Sequence, residues 1–376
     1  MTTRTWFITG VTGFVGRELL KRILNRSDDR VIGLVRGRDD EAVEGRRTKV
    51  LTDLYGGEVP EGFDARFEAV RGELHAEQLG LDDATWDRVA AAASRIVHSA
   101  ASVRFDLKLD EARKHNVDGT TRMLDLALRA AELGGLERFA YVGTCYVAGD
   151  RTDVVKAEEL DVGQGFRNSY EQTKLESEKL VRAHMDRLSI AIFRPSIIVG
   201  DSRTGETSSF NVIYWPVRVY ARGWWPFFIG NPDAPADVVP INFVCDAMLH
   251  ILDQDDCAGN CYPLAAGVDG CSTNGEMMKL AAHHFDQPLP EIIRPEEFTD
   301  EYRIEMYNRL SASQRAIIGQ GIQYLPYMSQ NPFFDNTPTL EALAGTDLRP
   351  PRVDEYFANL FDFAKRTDWG RRPQGR

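Results

Sequence analysis

Short apolar runs recur along the first half of the chain, and between them lie stretches whose apolar positions fall three and four residues apart. The runs predict strands at Thr5–Thr9, Val31–Val35, Phe67–Val70, Arg95–His98, Phe139–Val142 and Ser189–Phe193. The periodic stretches predict helices at Phe14–Asn25, Glu41–Leu54, Ala84–Ala93, Leu109–Ala130 and Tyr170–Met185. Short apolar strands with a helix in every gap belong to a buried parallel sheet. The fold class that follows is α/β, a Rossmann-type doubly wound sheet in the order 3-2-1-4-5-6. Its ligands belong at the carboxyl ends of the strands, near the reversal of order.

After Gly200 the pattern changes. Residues 201–240 are rich in Gly, Pro and Trp, Val238–Ile241 reads as a strand, and Phe243–Leu252 reads as a helix. From Ser272 onward the chain reads as mainly helical, with Pro-rich breaks at 287–290 and 326–338. The expected division is a dinucleotide-binding domain over 1–200, with 238–265 returning to the sheet. Residues 201–237 and 266–376 then form a smaller, mainly helical substrate-binding lobe.

The first strand runs directly into Gly10-Val11-Thr12-Gly13-Phe14-Val15-Gly16, and an amphipathic helix follows. A glycine-rich turn between strand and helix cradles phosphate: backbone approaches the pyrophosphate, and the helix aims its unpaired N–H groups at it. The spacing is GxxGxxG. In an NAD site of this fold an acid ends the second strand and holds the ribose 2′-OH. Here the strand ends Val35-Arg36-Gly37-Arg38, with Arg46 and Arg47 on the next helix. Guanidinium groups at that position suit a 2′-phosphate, so the expected cofactor is NADP(H). Asp39 and Asp40 are expected to cap the helix.

Tyr170 and Lys174 stand four apart at the start of a helical pattern, on one face. An ammonium beside a phenol favours the phenolate, so the expectation is a Tyr170 pKa drawn down toward working pH. Such a group gives a proton to a carbonyl oxygen as hydride arrives. Thr144, just past the fifth strand, can hold the same oxygen.

Composition narrows the class. A formal net charge of −12 argues against a general nucleic-acid binder. Five cysteines in 376 residues make no disulfide framework, and a reducing, cytoplasmic compartment fits. Neither a signal peptide nor a transmembrane helix is expected from the apolar pattern. Cys257, Cys261 and Cys271 with His283 and His284 lack the paired spacing of a zinc site, so no metal is expected. Cys145 reads as a small core residue and His98 as a satisfied structural histidine. The aromatic stretch Val212–Ile229 reads as a substrate wall, as packing, or as a segment that touches a membrane surface. Arg203, Arg218 and Arg222 are candidates for carrier phosphates or for plain solvation.

The glycine turn, Thr144 and the YxxxK pair together resemble the extended short-chain dehydrogenase/reductase superfamily. More detail is similar to its thioester reductase and fatty acyl-CoA reductase branch: Leu34-Val35-Arg36 with Arg46, Arg71-Gly72-Glu73-Leu74, and the stretch from His98 through Ala100, Ala101 and Ser102 to Phe105. Asn116-Val117-Asp118-Gly119-Thr120, Phe193-Arg194-Pro195-Ser196 and Phe334-Asp335-Asn336-Thr337 extend the likeness to nearly the whole chain. The resemblance implies that Gly10, Thr12, Gly13, Phe14, Val15 and Gly16 bind the pyrophosphate and that Arg36 and Arg46 hold the 2′-phosphate. It places Ala100 and Ala101 against the cofactor, and Pro195 and Ser196 beside the nicotinamide carboxamide. Thr144, Tyr170 and Lys174 would be the catalytic trio, with Lys174 also on the ribose. Asn116 would support a proton relay. The family usually carries a further Ser where this chain has Gly143-Thr144-Cys145.

The activity implied is NADPH-dependent reduction of an acyl thioester, on CoA or an acyl carrier protein, to the aldehyde and on to the alcohol if a second round follows. A ketone or aldehyde reductase of the same superfamily is the alternative, and a non-catalytic NADP sensor is a further one. Arg36 speaks against an NAD-using sugar epimerase.

Overall fold

The computed structural model describes residues 3–210, 212–224, 227–312, 314–315 and 324–371. Seven strands form the central sheet: β1 (Thr5–Thr9), β2 (Arg30–Val35), β3 (Phe67–Arg71), β4 (Arg95–His98), β5 (Arg138–Val142), β6 (Ile190–Pro195) and β7 (Cys261–Leu264). Their spatial order is β3-β2-β1-β4-β5-β6-β7, with every neighbouring pair parallel. This is the expected doubly wound order with one strand added beyond β6.

Strand alternation builds a core on each face. Trp6 and Ile8 pack on one side with Leu19 and Ile23 of α1 (Phe14–Arg26) and Val50 of α2 (Asp40–Leu54). Phe7 faces the other side. It meets a cluster containing Trp86 of α3 (Asp83–Ala92), Met123 of α4 (Gly119–Glu132) and Val181 of α5 (Ser169–Arg182). Both faces are buried, which is why the strands lack a polar side.

The expected single helix Leu109–Ala130 is broken. A short α-turn, Leu109–Arg113, passes into a π-helical turn at Lys114–Asp118 before α4 begins. The Asn116 carbonyl accepts from the hydroxyls of Thr120 at 2.7 Å and Ser177 at 3.0 Å. These hydroxyls join the Gly119 N–H on the same carbonyl and brace the bulge.

A second core lies beyond the sheet. It joins α6 (Tyr214–Ala221), α8 (Asn274–Phe285) and α9 (Val353–Arg366) around Tyr214, Met277 and Phe361. Between α6 and α8 in sequence, α7 (Ile241–Leu252) returns to the sheet face beside α1, where Arg22 pairs with Asp246 at 2.8 Å. Phe333–Phe334 pairs with Val154–Val155. Just beyond, Asn336 donates to the Ala265 carbonyl at 3.0 Å and Thr339 to that of Pro263 at 2.7 Å, fastening this segment to the end of β7. Of the aromatic stretch, Trp225 and Pro226 lie outside the described residues.

Candidate active site

The turn after β1 has little room for side chains. Gly10 holds φ +74°, and a Cβ there would stand 3.0 Å from the Ala100 nitrogen. A Cβ on Gly16 would stand 2.2 Å from the Gly10 carbonyl oxygen. Helix α1 opens at Gly13 with no side-chain cap and no acid in its first turn, so its leading N–H groups remain open to an anion. Thr12 and Gly13 are exposed, while Phe14 and Val15 are half-buried.

Beneath the turn, the Ala100 N–H donates to Thr9 Oγ1 at 3.2 Å. Thr9 meets His98 Nδ1 at 2.8 Å, and His98 Nε2 meets Thr120 Oγ1 at 3.1 Å. Those partners assign the proton to Nε2. Burial, with the Lys174 charge nearby, pushes His98 down to about 3. It is a neutral brace that holds the Ala100–Ala101 segment against the glycine turn.

Arg36 and Arg46 are exposed beyond β2, and neither has an ion pair or hydrogen bond among the described residues. Their neighbours differ. Arg38 pairs with Asp39 at 2.9 Å. Arg47 is held by Glu44 and Asp64, each at 2.8 Å, and by the Phe67 carbonyl at 3.0 Å. Asp39 caps α2 by accepting from the Ala42 N–H at 2.8 Å. Asp40 pairs with Arg71 at 3.3 Å.

Thr144, Tyr170 and Lys174 line one cleft together with Val15, Ala101, Pro195 and Ser196. Thr144 follows β5 in extended conformation and caps the turn Cys145–Ala148, accepting from the Tyr146 N–H at 3.2 Å. Asn168 caps α5 by accepting from the Glu171 N–H at 3.1 Å, which starts the helix so that Tyr170 and Lys174 face the cleft one turn apart. Burial pushes the Tyr170 phenol up to about 12, against a smaller pull downward from the Thr144 hydroxyl. Lys174 is buried. Its Nζ donates to the Val142 carbonyl at 2.9 Å and lies 4.4 Å from the Tyr141 ring centroid. Burial pushes it down to about 7, against a pull upward from Glu178.

The expected lowering of the phenol by Lys174 is therefore not found. Desolvation sets the direction of the shift, and the Lys174 side chain is committed to the Val142 carbonyl.

Asn116 accepts from the Ser102 N–H at 2.7 Å and donates to the Ser102 carbonyl at 3.2 Å and to Thr173 at 3.0 Å. In this arrangement it ties the Ser102 segment to α5 rather than bonding to Lys174. Cys145 points away from the cleft, donates to the Arg194 carbonyl, and is held well above the usual thiol range by burial. The thiol is inert.

Several supporting side chains were not singled out by the motifs. Arg194 grips Glu178 of α5 with two bonds, at 2.9 and 2.7 Å, both groups buried. This fork fixes α5 against β6. Phe105 packs 5.8 Å from Tyr170 and 5.4 Å from Tyr327. Asp237, buried, accepts from the Ala266 and Gly267 N–H groups at 2.9 and 3.2 Å and lies against Ser196; burial pushes it up to about 6. Phe105 stands inside the motif that begins at His98. Asp237 and Tyr327 carry no local signal.

This fold and cleft define an extended short-chain dehydrogenase/reductase. The NAD-binding family described as male sterility protein matches residues 8–248, and the chain belongs to it, with the thioester reductases.

The chain is 30% identical to isonitrile lipopeptide synthase of Mycobacterium tuberculosis over 325 residues, 79% of this chain and 12% of that protein. It is 26% identical to a fatty acyl-CoA reductase of Drosophila melanogaster over 276 residues, 65% of this chain and 53% of that protein. The terminal R domain from the myxalamid PKS-NRPS biosynthetic pathway superposes with a TM-score of 0.84 at 25% identity, covering 100% of this chain and 93% of that one. The chain spans from 2% to 35% of the length of the peptide synthetases it matches. Among the described residues no helix is long and apolar enough to cross a membrane.

Proposed function

We propose that this protein reduces an acyl thioester to the aldehyde with NADPH. The reading rests on Thr144, Tyr170 and Lys174 meeting in the cleft that adjoins the glycine turn. Residues 1–200 with 238–265 would bind the cofactor, and 201–237 with 266–376 the acyl group. Gly10, Thr12, Gly13, Phe14, Val15 and Gly16 would cradle the pyrophosphate, where a Cβ on Gly10 or Gly16 has no room. Arg36 and Arg46, free of acidic partners among the described residues, would take the 2′-phosphate. Ala100, Ala101, Pro195 and Ser196 would flank the nicotinamide side, with Asn116 holding the Ser102 segment in place.

When bound, NADPH would supply the hydride for the thioester carbonyl carbon. Thr144 and Tyr170 hold the carbonyl oxygen as charge builds on it, and the Tyr170 phenol delivers its proton there. A phenol at about 12 is fully protonated at neutral pH, the form this step needs. Lys174 would orient the ribose. Proton return to Tyr170 from the tetrahedral hydroxyl accompanies C–S cleavage, and the released thiolate takes a proton from solvent. The carrier would be CoA or an acyl carrier protein, in keeping with relatives named as peptide synthetases and as a fatty acyl-CoA reductase. Five free cysteines suit a cytoplasmic setting.

The test is NADPH consumption over acyl-CoAs, carrier-bound acyl groups, aldehydes and ketones, with products identified by mass. Thioester-dependent oxidation that yields aldehyde supports the reading. Turnover confined to ketones contradicts it.

A further inference from the structure

Next to the catalytic cleft lies a second cavity, walled by the region beyond the sheet. Ile197, Val212, Tyr324 and Tyr327 line both, so the two spaces adjoin. Val217 of α6, Met277 and Ala281 of α8, Phe228 and Met328 form much of the inner wall. This is where the aromatic stretch goes: it lines the cavity and packs into the second core. Arg222 of this stretch turns away to pair with Asp368 at 2.7 Å, and Arg203, upstream of it, pairs with Asp201 at 3.6 Å.

The polar side chains on this wall are already engaged. Asn274 donates to the carbonyls of Asn231 and Met328, at 3.0 and 2.9 Å. Asn331 donates to those of Pro235 and Tyr327, at 3.0 and 2.6 Å. The Tyr220 hydroxyl donates to the Pro288 carbonyl at 2.7 Å, and the Tyr327 hydroxyl to Glu171 at 2.6 Å. A polar group entering here would leave water without regaining these donors. An apolar chain has nothing to lose by entering, and the flexible methionines adapt to its shape.

The wall that the two spaces share is also fixed. Tyr327 stacks on Phe105, whose ring also meets Tyr170 and Tyr324. Its hydroxyl is held by Glu171, the residue after Tyr170, and its ring lies 4.9 Å under the Arg167 guanidinium. The partition is thus anchored to the first turn of the catalytic helix.

We propose that this cavity is the acyl-chain chamber of the reductase. It takes an unbranched apolar acyl tail whose carbonyl lies at Tyr170, and it rejects a tail that ends in a charge. The proposal rests on the thioester reading above and names the substrate class for it. Residence in the chamber gives kcat/KM an increase of about three- to fourfold per added methylene, the ~0.8 kcal/mol of a buried CH2, until the chamber is full. A terminal carboxylate abolishes the gain.

The experiment uses pantetheine thioesters from two to twelve carbons, their ω-carboxylate counterparts, and non-reducible S-alkyl pantetheine thioethers titrated by calorimetry. Ala281→Trp narrows the chamber and is expected to lower kcat/KM for long chains at least tenfold while sparing acetyl. Phe228→Ala, the second variant should the first misfold, moves the optimum to longer chains. Equal kcat/KM for acetyl and dodecanoyl thioesters, or equal use of the ω-carboxylates, overturns the chamber while leaving thioester reduction standing. Chain-length-dependent thioether binding with no turnover of any thioester keeps the chamber and removes the reductase reading. Thioether binding that ignores alkyl length removes the chamber on its own.

Discussion

The Tyr327 hydroxyl donates to Glu171 at 2.6 Å, joining two groups 156 residues apart in the chain. Glu171 is fully buried and also accepts from the Arg167 N–H at 2.9 Å. Asn168, the cap of α5, donates to the same tyrosine oxygen at 2.7 Å. The segment that separates cleft from chamber is thereby pinned to the start of the helix that carries Tyr170 and Lys174. Tyr327→Phe leaves a buried carboxylate and an amide each short of a partner. We predict a loss of about 1–3 kcal/mol in urea denaturation. A variant as stable as wild type would show the bond is not made in solution.

Arg36 and Arg46 offer a direct test of cofactor choice. Each would lose a charge-assisted contact to the 2′-phosphate on replacement by alanine. Both are exposed, so the expected effect is about tenfold per residue on NADPH affinity, with NADH affinity unchanged. Fluorescence titration of both nucleotides reads this. An equal loss for NADH and NADPH would place the arginines elsewhere.

Lys174 gives a pH signature. Its ordinary value is ~10.4 in an unfolded chain. Burial holds it at about 7 in the folded protein. Between those values the unfolded chain binds a proton that the native protein lacks, so this residue's contribution to stability rises with pH across the window. It is lost as pH falls through 7. Relative to Lys174→Met, the wild type should gain up to about 1.4 kcal/mol per pH unit between pH 7 and 9 in denaturant titrations. A pH-independent difference would mean that the ammonium stays charged.

Gly16→Ala puts a methyl group where the Gly10 carbonyl oxygen already stands, 2.2 Å from the new carbon. The turn must shift. NADPH affinity should fall by at least 100-fold while the far-UV spectrum keeps its α/β form. Normal affinity would show that the pyrophosphate lies away from this turn.

Much of the framework was legible because β1 to β6 are short apolar runs with a helix pattern in each of the five gaps between them. β7 was harder: Cys261-Tyr262-Pro263-Leu264 is a four-residue edge strand with a proline, which resembles a loop. The break at Lys114–Asp118 depends on the hydroxyls of Thr120 and Ser177, the latter 61 residues away, and periodicity does not register it. The four-residue spacing of Tyr170 and Lys174 was visible. That Lys174 would donate to Val142 was not, because the partner belongs to another strand. Asp237 and Tyr327 reach the site from outside the sheet's motifs, and only tertiary packing brings them there.

The most direct test is Tyr170→Phe, which removes one oxygen and keeps the ring beside Phe105. With the best thioester, the variant should bind NADPH as the wild type does and lose about 10²–10⁴ in the single-turnover rate of NADPH oxidation. Undiminished thioester reduction by Tyr170→Phe would contradict the account.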